Sequence, residues 1–173
     1  LEGVELEKEG LIQMGFWPGG DRDGNPFVTT EITYKVARRL RRTIQVLYFR
    51  DIRDLKRRLT FPGIYDQVHE IERKLYNGIN EDEDCYQSDK ELLDDLRSIK
   101  NNLMTNHNGL FLNYVKNMIT KVKIFGMYLA IIDIRQDSSE IDSLYELIID
   151  GWSSDKVEVW NESGIKAQIK VLE

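Results

Sequence analysis

The chain is short of the residues that staple or punctuate small proteins. Its single cysteine, Cys85, cannot form an internal disulfide, so a reducing, cytoplasmic setting is expected. Three prolines interrupt 173 residues, and two of them, Pro18 and Pro26, fall in one short stretch, leaving long segments free to be helical. No long uncharged apolar run is present and mean hydropathy is −0.45, so no transmembrane helix and no membrane partner are expected. The start, Leu1-Glu2-Gly3-Val4-Glu5, lacks the basic and apolar regions of a secretory signal. Thirty acids against 24 bases give a net charge of −6, which weighs against nucleic acid as a partner. The two histidines, His69 and His107, sit near no nucleophile and no metal-ligand spacing, and neither is assigned a function.

What is present is mostly helical periodicity. A short apolar segment over 10–16 reads as a buried strand. Thr29 or Thr30 can cap a helix whose positive end suits Glu31. Ile32, Val36, Leu40, Ile44, Leu47, Ile52, Leu55 and Leu59 then recur at helical spacing. The opposite face, from Lys35 to Arg58, is strongly basic, and acids over 81–95 are available to neutralise it. Pro62-Gly63 ends this helix. Further helices are expected over 64–78 (Ile64, Val68, Ile71, Leu75), from a Ser88/Glu91 capping box to about Thr105 (Leu92, Leu93, Leu96, Ile99, Leu103), and over 110–124 (Leu112, Val115, Ile119, Val122). Met127 to Ile134 is nearly continuously apolar, as in a parallel strand buried on both faces. Ser138 or Ser139 can cap a last helix over 139–150, and the pattern over 152–173 leaves strand and helix both open. Cys85, beside a charge cluster, reads as a solvent-exposed thiol.

The densest chemistry lies in Gly15-Phe16-Trp17-Pro18-Gly19-Gly20-Asp21-Arg22-Asp23-Gly24-Asn25-Pro26-Phe27-Val28-Thr29. Glycines let a ligand approach the main chain, and an arginine between two aspartates suits a planar anion such as phosphate or carboxylate. A calcium loop is excluded: with Gly24 at its sixth position, Gly19 and Thr30 would occupy the first and twelfth, where acids are needed. The second charged cluster, Asp133, Arg135, Gln136 and Asp137, follows the second apolar segment, so both have the layout strand, charged loop, helix.

Residues 19–26 and Val28-Thr29 resemble the GGDRDGNP signature of phosphoenolpyruvate carboxylase. Phe125-Gly126, Leu129 and Asp133-Ile134-Arg135-Gln136-Asp137-Ser138 look like the FG…LxxxDIRQ(E/D)S segment of the same family. The resemblance implies carboxylation of phosphoenolpyruvate by bicarbonate to oxaloacetate and phosphate, with Mg2+. Phosphoryl transfer to bicarbonate would come first, leaving an enolate that attacks CO2. It implies Arg22 as the catalytic, anion-binding residue, with Asp21 and Asp23 orienting it. Gly19, Gly20 and Gly24 would permit the loop's shape, Asn25 would hold it, and Asp133 and Arg135 would line or brace the same site. The family's usual histidine three positions after the serine is Ile141 here.

The resemblance further implies that the whole chain, 1–173, is one segment excised from a longer, homo-oligomeric parent with a helix-elaborated (α/β) barrel. On that reading the fold class is mainly α, a helical bundle with two short buried strands. A strand and GGDRDGNP loop would occupy 10–29, a helical insertion 30–125, a strand and DIRQ segment 126–138, and a helix and tail 139–173. The absence of an initiator methionine fits an excised piece. The TAHPTE-like and HGRGG segments and the metal-holding carboxylates of the family are not in this sequence, so the isolated piece is expected to be inactive. The competing expectation is a non-enzymatic helical module binding an acidic partner through the basic helix 35–58.

Overall fold

The computed structural model describes residues 13–151. Among them the chain forms five helices and two very short strands, β1 (Gly15–Phe16), α1 (Thr30–Lys56), α2 (Ile64–Ile79), α3 (Asp89–Asn106), α4 (Leu112–Phe125), β2 (Ile131–Ile132) and α5 (Ser138–Asp150). Residues 10–12 of the expected first strand and the undecided tail 152–173 lie outside the described residues.

The helices α1 to α4 pack as an up-and-down bundle. Paired contacts fix the directions: Lys56 meets His69 and Glu72 while Phe49 meets Tyr76, so α1 and α2 run antiparallel. Asp51 bonds Lys121 while Arg58 lies over Tyr114, so α1 and α4 also run antiparallel. Apolar side chains at helical spacing fill the middle: Leu40, Ile44, Tyr48, Ile52, Leu55 and Leu59 from the first helix and its exit meet Ile64, Val68, Ile71 and Leu75. Leu92, Leu93, Leu96, Ile99 and Leu103 of α3 and Val115, Met118 and Val122 of α4 complete the core.

Caps set the helix starts. Thr29 Oγ1 accepts from Ile32 N for α1, and Ser88 Oγ accepts from Glu91 N for α3. The Glu91 carboxylate reaches back to Gln87 N, one residue before the cap. Asp137, not Ser138 or Ser139, caps α5: its carboxylate accepts from Ser139 N and Oγ, and those bonds hold its pKa below the usual carboxylate range.

Several inward assignments shift by one position. Leu47 is 43 % exposed and Tyr48 is buried in its place, because a four-residue step from Ile44 reaches 48. In α4 Met118 is buried, whereas Leu112 and Ile119 are only half-buried, since 115, 118 and 122 define the inward line. Cys85 is half-buried, with Gln87 Nε2 3.3 Å from its sulfur. Three of the acids over 81–95 pair with bases of α2 and α3: Asp84 with Arg73, Asp95 with Lys74 and Asp94 with Arg97. The basic helix instead takes Glu72, which contacts Arg53, Lys56 and His69. Burial pushes the Glu72 carboxyl up, but the Lys56 and His69 bonds outweigh it and leave the group below the usual range.

The strands pair in parallel, Gly15 with Ile131 and Phe16 with Ile132. They are shorter and less buried than the apolar pattern predicts. α4 ends at Gly126, and Leu129 adopts a left-handed φ of 65°, so extended backbone starts only near Ile131. Ile131 is 54 % exposed and Ile132 half-buried, since a two-stranded sheet has no second layer to cover both faces. No helix of the described residues is long and apolar enough to cross a membrane.

Burial separates the elements energetically. Leu96, fully buried in the bundle, should cost about 2–5 kcal/mol when replaced by Ala. Leu147 on α5 is 71 % exposed, and Leu147→Ala should stay within about 0.5 kcal/mol. Urea denaturation of this chain and the two variants measures both; equal losses would contradict the division.

Candidate functional site

The candidate site forms where the loops after β1 and β2 meet. Strand pairing is carried by Ile131 N to Met14 O at 2.8 Å and Asp133 N to Phe16 O at 3.2 Å. The first loop then turns, with Gly20 N bonded to Trp17 O at 3.0 Å, and pairing resumes beyond the turn. Arg135 N donates to Gly20 O at 2.9 Å and Arg22 N to Arg135 O at 2.8 Å, making a parallel bridge between Asp21 and Arg135. The two charged loops are therefore joined backbone to backbone, and Arg22 and Arg135 belong to one rim.

That closeness depends on a residue without a side chain. A Cβ built on Gly20 would lie 2.1 Å from the Asp133 carbonyl oxygen, and one on Gly19 2.6 Å from Val36 Cγ2. Gly24 has open space around it but a φ of +67°, which disfavours any other residue. Asn25 Oδ1 accepts from Phe27 N at 3.1 Å, a side-chain turn that shapes the end of the loop.

Arg22 is half-buried, and its guanidinium is tied to the start of α1. Nη2 donates to Thr33 Oγ1 at 3.2 Å, and Thr33 Oγ1 is 2.6 Å from the Gly19 carbonyl. Arg22 Nε and Asp21 Oδ1 are both buried without a hydrogen-bond partner. The expected clasp of Arg22 between Asp21 and Asp23 does not form: the partner of its guanidinium is Thr33. Asp23 points to solvent in an exposed stretch. Asp133 and Arg135 are exposed, and the Arg135 guanidinium lies 5.4 Å from the Trp17 ring centre.

The site residues named from sequence, Gly19, Gly20, Asp21, Arg22, Asp23, Gly24 and Asn25, thus share one loop, and that loop touches Asp133 and Arg135. Sequence reasoning missed Thr33 and Trp17. Thr33 stands one turn after the capping Thr29, so its hydroxyl faces back towards the loop. Chemically, the rim carries two guanidinium groups that suit an anion, Arg22 tethered through Nη2 and Arg135 exposed. Among the described residues no three His, Cys, Asp or Glu side chains gather as a metal-ligand set. A groove of about 490 Å³ lined by Asp51, Arg58, Tyr114 and Lys121 lies between α1 and α4, away from these loops.

Comparison with known proteins bears on this rim. The family model described as phosphoenolpyruvate carboxylase matches residues 2–84 and 64–164. A phosphoenolpyruvate carboxylase of Trichormus variabilis is 28 % identical over an alignment covering 84 % of this chain and 19 % of that protein. One of Synechocystis is 27 % identical, covering 79 % of this chain and 18 % of its own length. One of Roseiflexus castenholzii is 25 % identical, covering 74 % and 19 %. The chain spans about a fifth of the length of these relatives.

The contact between the loops makes the glycines unequal. Gly20→Ala should move amide resonances across 131–136 as well as its own loop, because the new methyl meets backbone that cannot swing aside. Gly24→Ala should confine its changes to about residues 21–28 and cost roughly 1–2 kcal/mol through its left-handed φ. Heteronuclear NMR spectra of the two variants check this; a Gly20→Ala spectrum unchanged around Asp133 would contradict the close approach.

Proposed function

Because the chain belongs to the phosphoenolpyruvate carboxylase family, we propose that it supplies one rim of an active site that carboxylates phosphoenolpyruvate with bicarbonate, giving oxaloacetate and phosphate. The observation that carries this reading is the joining of the Arg22 and Arg135 loops at the C-terminal ends of two parallel strands. Barrel enzymes assemble their sites from loops at those ends. The proposal includes a barrel in the parent enzyme, completed by the rest of its chain.

In the proposed reaction the phosphoryl group passes from phosphoenolpyruvate to bicarbonate, the carboxyphosphate so formed breaks down to CO2 and phosphate, and the enolate left behind adds to that CO2. Negative charge shifts along the transferring group, and fixed cations lower the barrier. Arg22 is the residue proposed to meet that charge, with Thr33 holding its guanidinium through Nη2. Gly19, Gly20 and Gly24 allow the loop's path, and Asn25 pins its end. Asp21 and Asp23 balance the cation, while Asp133 and Arg135 line the neighbouring position on the rim. Mg2+ belongs to the proposal for the parent enzyme. Among the described residues no set of His, Cys, Asp or Glu side chains fits as its ligands.

For the competing module, an acidic partner on the basic helix, part of that face is already engaged. Arg53 and Lys56 are engaged by Glu72, Arg58 lies over Tyr114, and Arg41 bonds the Tyr86 carbonyl. The proposal places the parent in the cytoplasm as a homo-oligomer and the isolated chain as inactive.

The test is kinetic and uses the parent enzyme. Arg22→Ala removes a charge-assisted contact that typically contributes about 1.5–3 kcal/mol, so kcat/KM should fall at least about tenfold. Arg22→Lys keeps the charge without the fork and should recover only part of the loss. Thermal stability should barely change. Wild-type kinetics in Arg22→Ala would overturn the assignment, as would a loss explained wholly by unfolding.

A further inference from the structure

We propose that Thr33 is a positioning residue for Arg22, acting through its hydroxyl and without touching substrate; the inference rests on the reading of Arg22 given above. The Thr33 Oγ1 atom is 2.6 Å from the Gly19 carbonyl and 3.2 Å from Arg22 Nη2. A hydroxyl has one proton to give. A carbonyl can only accept and a guanidinium can only donate, so the two contacts fix the direction: Thr33 donates to Gly19 and accepts from Arg22. The single hydroxyl therefore ties both the turn and the guanidinium to the first turn of α1.

The arrangement has a purpose only if the remaining face of Arg22 must point one way. Among the described residues Nη2 donates to Thr33, Nε is buried with no partner, and neither flanking aspartate clasps the group. Without Thr33 no hydrogen bond among the described residues would hold the guanidinium, and its fork would reach the anion in a smaller fraction of molecules. The bland alternative is that the hydroxyl merely back-bonds along the helix, since Thr29 O also lies 3.3 Å away. That contact is longer than the Gly19 one and leaves the Arg22 bond unexplained.

A double-mutant cycle in the full-length parent enzyme separates the two. Thr33→Val keeps the shape and removes the hydroxyl, and should lower kcat/KM about tenfold in the wild-type background. Thr33→Ser should remain within about twofold of wild type. In the Arg22→Ala background Thr33→Val should add less than about twofold, because the group it positions is gone. Equal factors in both backgrounds would overturn the proposal, as would a silent Thr33→Val beside a damaging Arg22→Ala. A silent Arg22→Ala would overturn the underlying reading first and this inference with it. If Thr33→Val fails to fold, Thr33→Ala takes its place in the cycle; failure of both to fold would assign the hydroxyl a structural role and overturn the proposal.

Discussion

Two backbone hydrogen bonds hold the arrangement together, Arg135 N to Gly20 O and Arg22 N to Arg135 O. They extend the pairing of β1 and β2 past the turn at 17–20, into segments that would otherwise be independent loops. A loop fixed on one side only samples many conformations, and ordering it costs about 1–2 kcal/mol per residue. Joining two loops main chain to main chain shares that ordering between them. It also puts Asp21 in register with Arg135 and bonds Arg22 N to the Arg135 carbonyl, whatever the side chains do. Gly20 is the condition for it, because any Cβ would sit within the Asp133 carbonyl.

The bundle serves this contact from a distance. Parallel neighbours need a long crossover, and here the crossover is α1 to α4. Four antiparallel helices return the chain to the end from which it left, so β2 can lie beside β1. The return is fastened at that end by Tyr48, whose hydroxyl donates to the carbonyl of Gly126 at 2.8 Å, just where α4 stops. Burial raises the Tyr48 pKa well above its ordinary value, so the group stays a donor at any physiological pH. Apolar side chains of α5 such as Leu144 and Leu147 remain exposed, so that helix adds nothing to the bundle's core.

Much of this was legible in the residues. The steps Ile64–Val68–Ile71–Leu75 and Leu92–Leu96–Ile99–Leu103 admit only one helical face, and all eight are buried. The mainly helical class follows from such runs, and two separate motifs pointed to the family. The strands were harder to read. An apolar run such as 127–134 carries no mark for where a helix exit ends, and the left-handed Leu129 delays the strand by backbone geometry alone. At the site, the loop residues could be named, but their pairings could not. Nothing in Asp-Arg-Asp says that the arginine turns to Thr33, because that choice is set by how α1 leaves the loop. Trp17 against Arg135 is equally a product of the fold, joining positions more than a hundred residues apart.

Amide hydrogen exchange in this chain, read residue by residue by NMR, tests the central claim most directly. The account predicts that Arg22 and Arg135 exchange slowly, on the scale of the Ile131 amide in the strand pair, while Asp23 in the same loop exchanges at nearly the rate of an open chain. Rapid exchange at both arginines with Ile131 still protected would show that the pairing stops at the strands, and the shared rim would then not exist.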